Sequence, residues 1–316
     1  MVLSPANKST TVGKSDTEST VLMVILLAIL TATATLVLYY LVAGLQENNT
    51  VITENVVIDE ADESAYVSPE ITEVEPEKID FQPVVDEWVN LVGGNKSVLI
   101  YDLDRDEIVG SYNTTKRYNT ASLYKLFVVY EGYRRLESGE WQADEPAGST
   151  GYTVLECLDL AIRESYSPCA ETLWARIGHD ELDEIIEKDF GITNSDISAL
   201  ISNPEDIQKM MKLFYEHPDI KSETLVARMK DSLLNQPKTT YNWRQGLPSG
   251  FSDKVNVYNK VGWSFNEDEN YWDIYHDAAI VELPEKDRHF IVVVMTNKVS
   301  YQQIRKLGSM IEEVIE

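Results

Sequence analysis

From Val21 to Leu45 the sequence VLMVILLAILTATATLVLYYLVAGL runs without a charge. At 1.5 Å per residue a helix of this length crosses a bilayer core of about 30 Å. The run therefore predicts a transmembrane helix and restricts any water-soluble fold to the residues after it. A cleaved signal peptide is the competing reading, but the apolar stretch exceeds a usual h-region and a polar segment, residues 1–20, precedes it. The flanks set the expected orientation. Lys8 and Lys14 precede the span, whereas residues 47–80 carry eleven carboxylates and Lys78 as their one basic residue. By the positive-inside rule the N-terminus is expected inside, with the rest of the chain outside the cell membrane.

Residues 46–80 mix Glu, Asp, Ser, Thr and Pro with isolated valines and isoleucines, and show neither a helical stripe nor a bounded strand. Self-repulsion of their charges favours an extended stalk. The expected organisation is a tail at 1–20, a span at 21–45, an acidic disordered stalk at 46–80 and a folded head at 81–316. With 53 acidic against 27 basic side chains, a formal charge of −26 excludes nucleic acid as a natural partner.

In the head, an amphipathic run from Val84 to Val92 stops at Gly93-Gly94 and reads as a helix. Ser97–Asp102 and Glu107–Asn113 read as a hairpin around a charged turn. Asp102, Asp104 and Asp106 alternate through that tip in the manner of a calcium loop, but its turn glycine and distal glutamate are missing, which favours a solvated tip. Ser122–Leu136 is apolar on nearly every side, as a buried central helix would be. Several shorter helices are expected over 153–217. Strands are expected at Val255–Val261, Trp272–Leu283 and His289–Thr296, with a closing helix at Tyr301–Ile315. That order predicts an α+β fold: an antiparallel sheet with flanking helices plus a helical subdomain.

Ser122-Leu123-Tyr124-Lys125 places a hydroxyl and an amine on one helix face, where a desolvated lysine could take the serine's proton. A capping serine followed by an ordinary lysine is the bland alternative. Downstream, Lys260-Val261-Gly262-Trp263 falls on a predicted strand, with a glycine that admits close approach of a substrate backbone. The pattern is cheap, since Lys306-Leu307-Gly308 repeats it in the last helix. Ser165-Tyr166-Ser167 sits at a helix break between the two and could relay a proton.

Taken in order, Ser122 and Lys125, then Ser165, then Lys260 and Gly262 resemble the SxxK, SDN and KTG elements of class A β-lactamases and penicillin-binding proteins. The resemblance spans roughly residues 80–316. It implies acylation of Ser122, activation by Lys125, proton relay through Ser165 and a substrate-holding charge at Lys260. It further implies substrate contacts at Ser167 and Gly262, and an oxyanion hole from the N–H groups of Ser122 and Trp263. The implied function is a membrane-anchored serine hydrolase that needs no cofactor and acts on a β-lactam or related amide or acyl bond, with β-lactam breakdown and antibiotic resistance as its setting. Three positions depart from the pattern. Ser167 replaces the asparagine of the middle element, Val261 replaces a hydroxyl-bearing residue, and the segment Gly191–Asn203, where an Ω-loop glutamate is expected, holds only Asp196 as an acid. A D-alanyl peptidase or esterase with poor β-lactam turnover, or a non-catalytic cell-wall-binding module, therefore stands beside the first reading.

Cys157 and Cys169 flank the Ser165 break, and an exterior domain permits a disulfide there; two buried thiols are the alternative. His179, His217, His276 and His289 are scattered without zinc spacing, so no metal site is expected. His276-Asp277 reads as structural rather than as part of a Ser-His-Asp triad.

Overall fold

The computed structural model describes residues 76–234, 244–266 and 271–315. The expected tail, the span at 21–45 and most of the stalk lie outside the described residues. Among the described residues no helix is long and apolar enough to cross a membrane.

Five strands build one sheet: β1 (Asn95–Asp102), β2 (Glu107–Tyr112), β5 (Asn256–Asn266), β6 (Tyr271–Leu283) and β7 (Arg288–Asn297). Their order is β2-β1-β7-β6-β5, and every neighbouring pair is antiparallel. β1 and β7, far apart in the chain, pair over Asn95–Asp102 and Phe290–Asn297. Covering both faces of the sheet removes the usual in-out alternation, so every residue from Phe290 to Thr296 of β7 is buried.

One face is covered by α1 (Gln82–Leu91) and the closing helix α8 (Tyr301–Ile315). They bring Phe81, Val85, Trp88, Ile304, Leu307 and Ile311 onto Ile100, Val292 and Val294. The Lys306-Leu307-Gly308 triplet belongs to this packing, because Gly308 lets α8 approach Leu247 and Gly250. The other face meets the helical subdomain. There α2 (Tyr124–Glu137) is buried along its first ten residues. Around it stand α3 (Val154–Arg163), α4 (Ser167–Ile177), α5 (His179–Lys188) and α6 (Pro204–Glu216), followed by α7 (Glu223–Leu234). This is the expected α+β architecture.

Each aspartate of the hairpin tip is taken by a cation of the fold. Asp102 is fully buried against Arg288, Asp104 accepts from Arg288 and from His289, and Asp106 pairs with Lys212 of α6. These ties fasten the hairpin to β7 and to the helical side, which gives the alternating acids a structural use.

Candidate active site

The segment carrying Ser122 is held before its helix begins. A two-stranded sheet of β3 (Tyr118–Asn119) and β4 (Ile201–Ser202) fixes its entry, and Thr120 N–H donates to Leu200 O at 2.8 Å. Ala121 then adopts φ +43°, a left-handed conformation that a non-glycine residue takes only where its surroundings hold it. Ser122 follows inside a 3₁₀ turn (Ala121–Leu123) that runs straight into α2. The expected helix start at Ser122 is thus a tighter turn, and Lys125 lies in the first turn of the α-helix proper.

Lys125 Nζ is fully buried and meets three hydroxyls: Ser122 Oγ at 3.2 Å, Ser167 Oγ at 3.0 Å and Ser165 Oγ at 3.3 Å. It also donates to the Ser165 carbonyl. That carbonyl is turned inward because Ser165 has φ +54° in the break between α3 and α4. The break is closed by a disulfide joining Cys157 of α3 to Cys169 of α4, with Cα atoms 4.9 Å apart. Burial pushes the Lys125 ammonium down to about 8, against the charge of Glu171, which favours the ammonium.

Lys260 approaches from the sheet. Its Nζ lies 2.9 Å from Ser165 Oγ and 2.8 Å from Val261 O. Complete burial, reinforced by the charge of Lys125, holds it well below the ordinary lysine range. Ser165 is therefore a hydroxyl between two lysines. Ser167 spends its hydroxyl on Lys125, which an asparagine amide at that position would reach differently.

β5 forms the edge of the sheet, and its outer edge faces Ser122. In an antiparallel pair a residue exchanges both its N–H and its C=O with the neighbouring strand, or neither. The carbonyls of Val257 and Val261 are taken by Arg244 and Lys260, so the odd-numbered residues turn their polar groups outward. The same alternation sends the Trp263 N–H to that edge, while the indole packs on Tyr275 on the far face. Gly262 closes the gap: a Cβ there would stand 2.7 Å from Thr120 O and 3.3 Å from Leu123 N. Only a glycine lets β5 come this close to the turn that holds Ser122.

His276 has no free nitrogen for a triad. Its Nδ1 accepts the Thr296 N–H at 2.9 Å, so Nε2 must carry the proton that it gives to Asn119 O at 2.8 Å. Burial depresses it to about 4 and keeps it neutral. It steadies the β3 residue that leads to Ser122. Asp277 points to the opposite face, where it accepts from Asn259 Nδ2 and Leu247 N–H at 2.8 Å each; burial raises it to about 7. The sequence marks neither this buried network nor the fixing role of His276, since both depend on pairings across β5, β6 and β7.

Asp196, the one acid of the Gly191–Asn203 segment, turns back on its own loop, accepting from Ala199 N–H and Ser198 Oγ at 2.9 Å each. On α4, one turn after Ser167, Glu171 is exposed, and its charge acts on Lys125 and Tyr124. Nothing in the sequence distinguishes it from the other surface glutamates.

A serine hydroxyl within reach of a buried lysine, beside a second hydroxyl–lysine pair and between an edge strand and a helical subdomain, defines the site. The Beta-lactamase2 family, the beta-lactamase enzyme family, matches residues 80–315. The chain belongs to the β-lactamase enzyme family. As a member it is a serine hydrolase of the class A β-lactamase type. Solved structures show the same fold at low identity. A β-lactamase from Xanthomonas campestris is 12% identical, with TM-score 0.64 over 74% of this chain and 97% of that one. A class A β-lactamase representative from Bacteroides cellulosilyticus is 14% identical, with TM-score 0.63 over 75% and 98%. The structure of PBP-A is 16% identical, with TM-score 0.62 over 76% and 98%. No curated protein matches the chain by sequence.

Proposed function

We propose that Ser122 is acylated by a β-lactam or a related amide or ester, and that the head is held outside the cell by a membrane span at 21–45. The observation that carries the chemistry is the 3.2 Å approach of Lys125 Nζ to Ser122 Oγ in a site where burial favours the neutral amine. Neutral Lys125 takes the Ser122 proton as Oγ attacks the acyl carbon. The N–H groups of Ser122 and Trp263 receive the developing oxyanion. Ser165, held by Lys260 at 2.9 Å, passes a proton to the leaving nitrogen or oxygen and is reprotonated by Lys125, which returns to the neutral amine. Lys260 also supplies positive charge for a substrate carboxylate, and Ser167 and Gly262 border the bound acyl group.

A second reading has its own support. The hydroxyl of the third element is replaced by Val261, and Ser167 is engaged by Lys125. Both changes weaken recognition of a substrate carboxylate, which a β-lactam and a D-alanyl peptide share, and favour an ester. For the anchor, the support is the charge-free length of 21–45 and the acidic flank that follows. A disulfide in the head suits an exterior compartment.

One experiment tests both parts. Membranes from cells expressing the full chain are washed in alkali, the chain is extracted in detergent, and its intact mass is followed after mixing with a penicillin or a p-nitrophenyl ester. Retention through the wash and a mass gain mapped to Ser122, absent in Ser122→Ala, is expected. Loss of the chain in the wash would remove the anchor. A mass gain that survives Ser122→Ala would remove the nucleophile, and no gain with either reagent would favour the binding-module alternative.

A further inference from the structure

We infer that Glu171 of α4 is the general base that activates the water hydrolysing the acyl-enzyme, a role resting on the acylation of Ser122 proposed above. Hydrolysis of a serine ester needs a base facing the acyl carbon from beside the nucleophile. Lys125 is engaged by three hydroxyls and a carbonyl. The segment 191–203 offers Asp196, which is spent on Ala199 and Ser198. Glu164, beside Ser165, is also exposed, but the charge that acts on Lys125 is that of Glu171.

The placement of Glu171 follows from two neighbours on the same helix. Ser167, four residues earlier, has its Oγ 3.0 Å from Lys125 Nζ. Trp174, three residues later, packs on the ring of Tyr124 with centroids 5.1 Å apart, and Tyr124 adjoins Lys125. Residues spaced by three and four lie on one helix face, so Glu171 stands between two residues that touch the site. Glu171 is one helical turn from Ser167, whose hydroxyl Lys125 engages. Among the described residues Glu171 makes no ion pair and no hydrogen bond, whereas Glu131, Glu145 and Glu156 are all committed.

The step balances without a further reagent. The water oxygen bonds to the acyl carbon while Glu171 takes its proton. The bond from that carbon to Ser122 Oγ then breaks, and Oγ receives the Glu171 proton through Lys125, whose amine ends neutral as it began. One water is consumed and one acid released.

Intact-mass time courses of the full chain with p-nitrophenyl acetate and with a penicillin separate acylation from deacylation. In Glu171→Gln the Ser122 adduct is expected to form at the wild-type rate and decay about 100-fold more slowly, with part of the loss restored in Glu171→Asp. Asp196→Asn and Glu164→Gln are expected to leave the decay unchanged. Wild-type decay in Glu171→Gln overturns the inference, as does equal slowing of formation and decay, which marks a structural role. An adduct that never decays in the wild-type chain overturns it while sparing acylation, and no adduct at all overturns the acylation as well.

Discussion

Lys125 is the residue on which the proposed acylation turns, and its two properties pull in opposite directions. Its ammonium donates to Ser122, Ser165 and Ser167, yet only its neutral amine can take a proton from Ser122. Burial lowers it to about 8, which leaves about one tenth of it neutral at pH 7. The acylation rate is therefore expected to rise with pH through about 8 and then level off. The charges of Glu171 and Lys260 also act on this region and keep the curve from being that of an isolated amine. Stopped-flow acylation by a neutral ester between pH 6 and 10 measures it, and a flat profile would deny Lys125 the role of base. The stability sign is the same. A lysine whose folded value lies below its unfolded 10.5 binds fewer protons folded than unfolded between about 8 and 10.5, so this group costs stability below 8 and the cost fades as pH rises.

At the scale of elements, what the sequence shows is what local pattern can carry. The run of Ser122 and Lys125 into an apolar helix, the strand holding Lys260 and Gly262, and the hairpin all lie within short windows whose periodicity is visible. Three things are not local. The 3₁₀ turn at Ala121–Leu123 depends on Thr120 reaching Leu200, β3 and β4 are two residues each, and Gly262 explains itself only once Thr120 stands opposite it. Glu171 is not legible in the sequence, because what sets it apart is its place on the face of α4 that carries Ser167 toward Lys125 of α2. The α3–α4 corner joins these scales, for the disulfide closes a short loop that contains Ser165 in its left-handed conformation. Replacing Cys157 and Cys169 together by serine is expected to lower stability by about 2–4 kcal/mol and to slow acylation, because Ser165 loses the constraint that points its carbonyl and hydroxyl at Lys125. Denaturant melts with acylation rates measured well below the transition check this; a stability loss with unchanged acylation would show that the corner holds Ser165 without the bridge.

The whole molecule sets a field that the site does not choose. Residues 47–80 account for −10 of the −26 charge, and residues 1–46 balance, leaving −16 on residues 81–316. Inside this acidic body Lys125 and Lys260 form a positive pocket, but burial and mutual repulsion weaken the ammonium form of both. Their attraction acts within the cleft, while the surrounding carboxylates act on a substrate still in solution. Such a long-range field is screened over about 10 Å at 0.1 M salt. An anionic penicillin should therefore be repelled at low ionic strength and react faster as salt is added, by about two- to fivefold in second-order acylation rate between 10 and 200 mM. A neutral p-nitrophenyl ester should show no such trend. The contrast between the two substrates isolates the electrostatic part, since any salt effect on folding moves both alike. A penicillin rate that falls with salt would mean that the two lysines, and not the acidic body, govern capture, and would favour an anionic natural substrate.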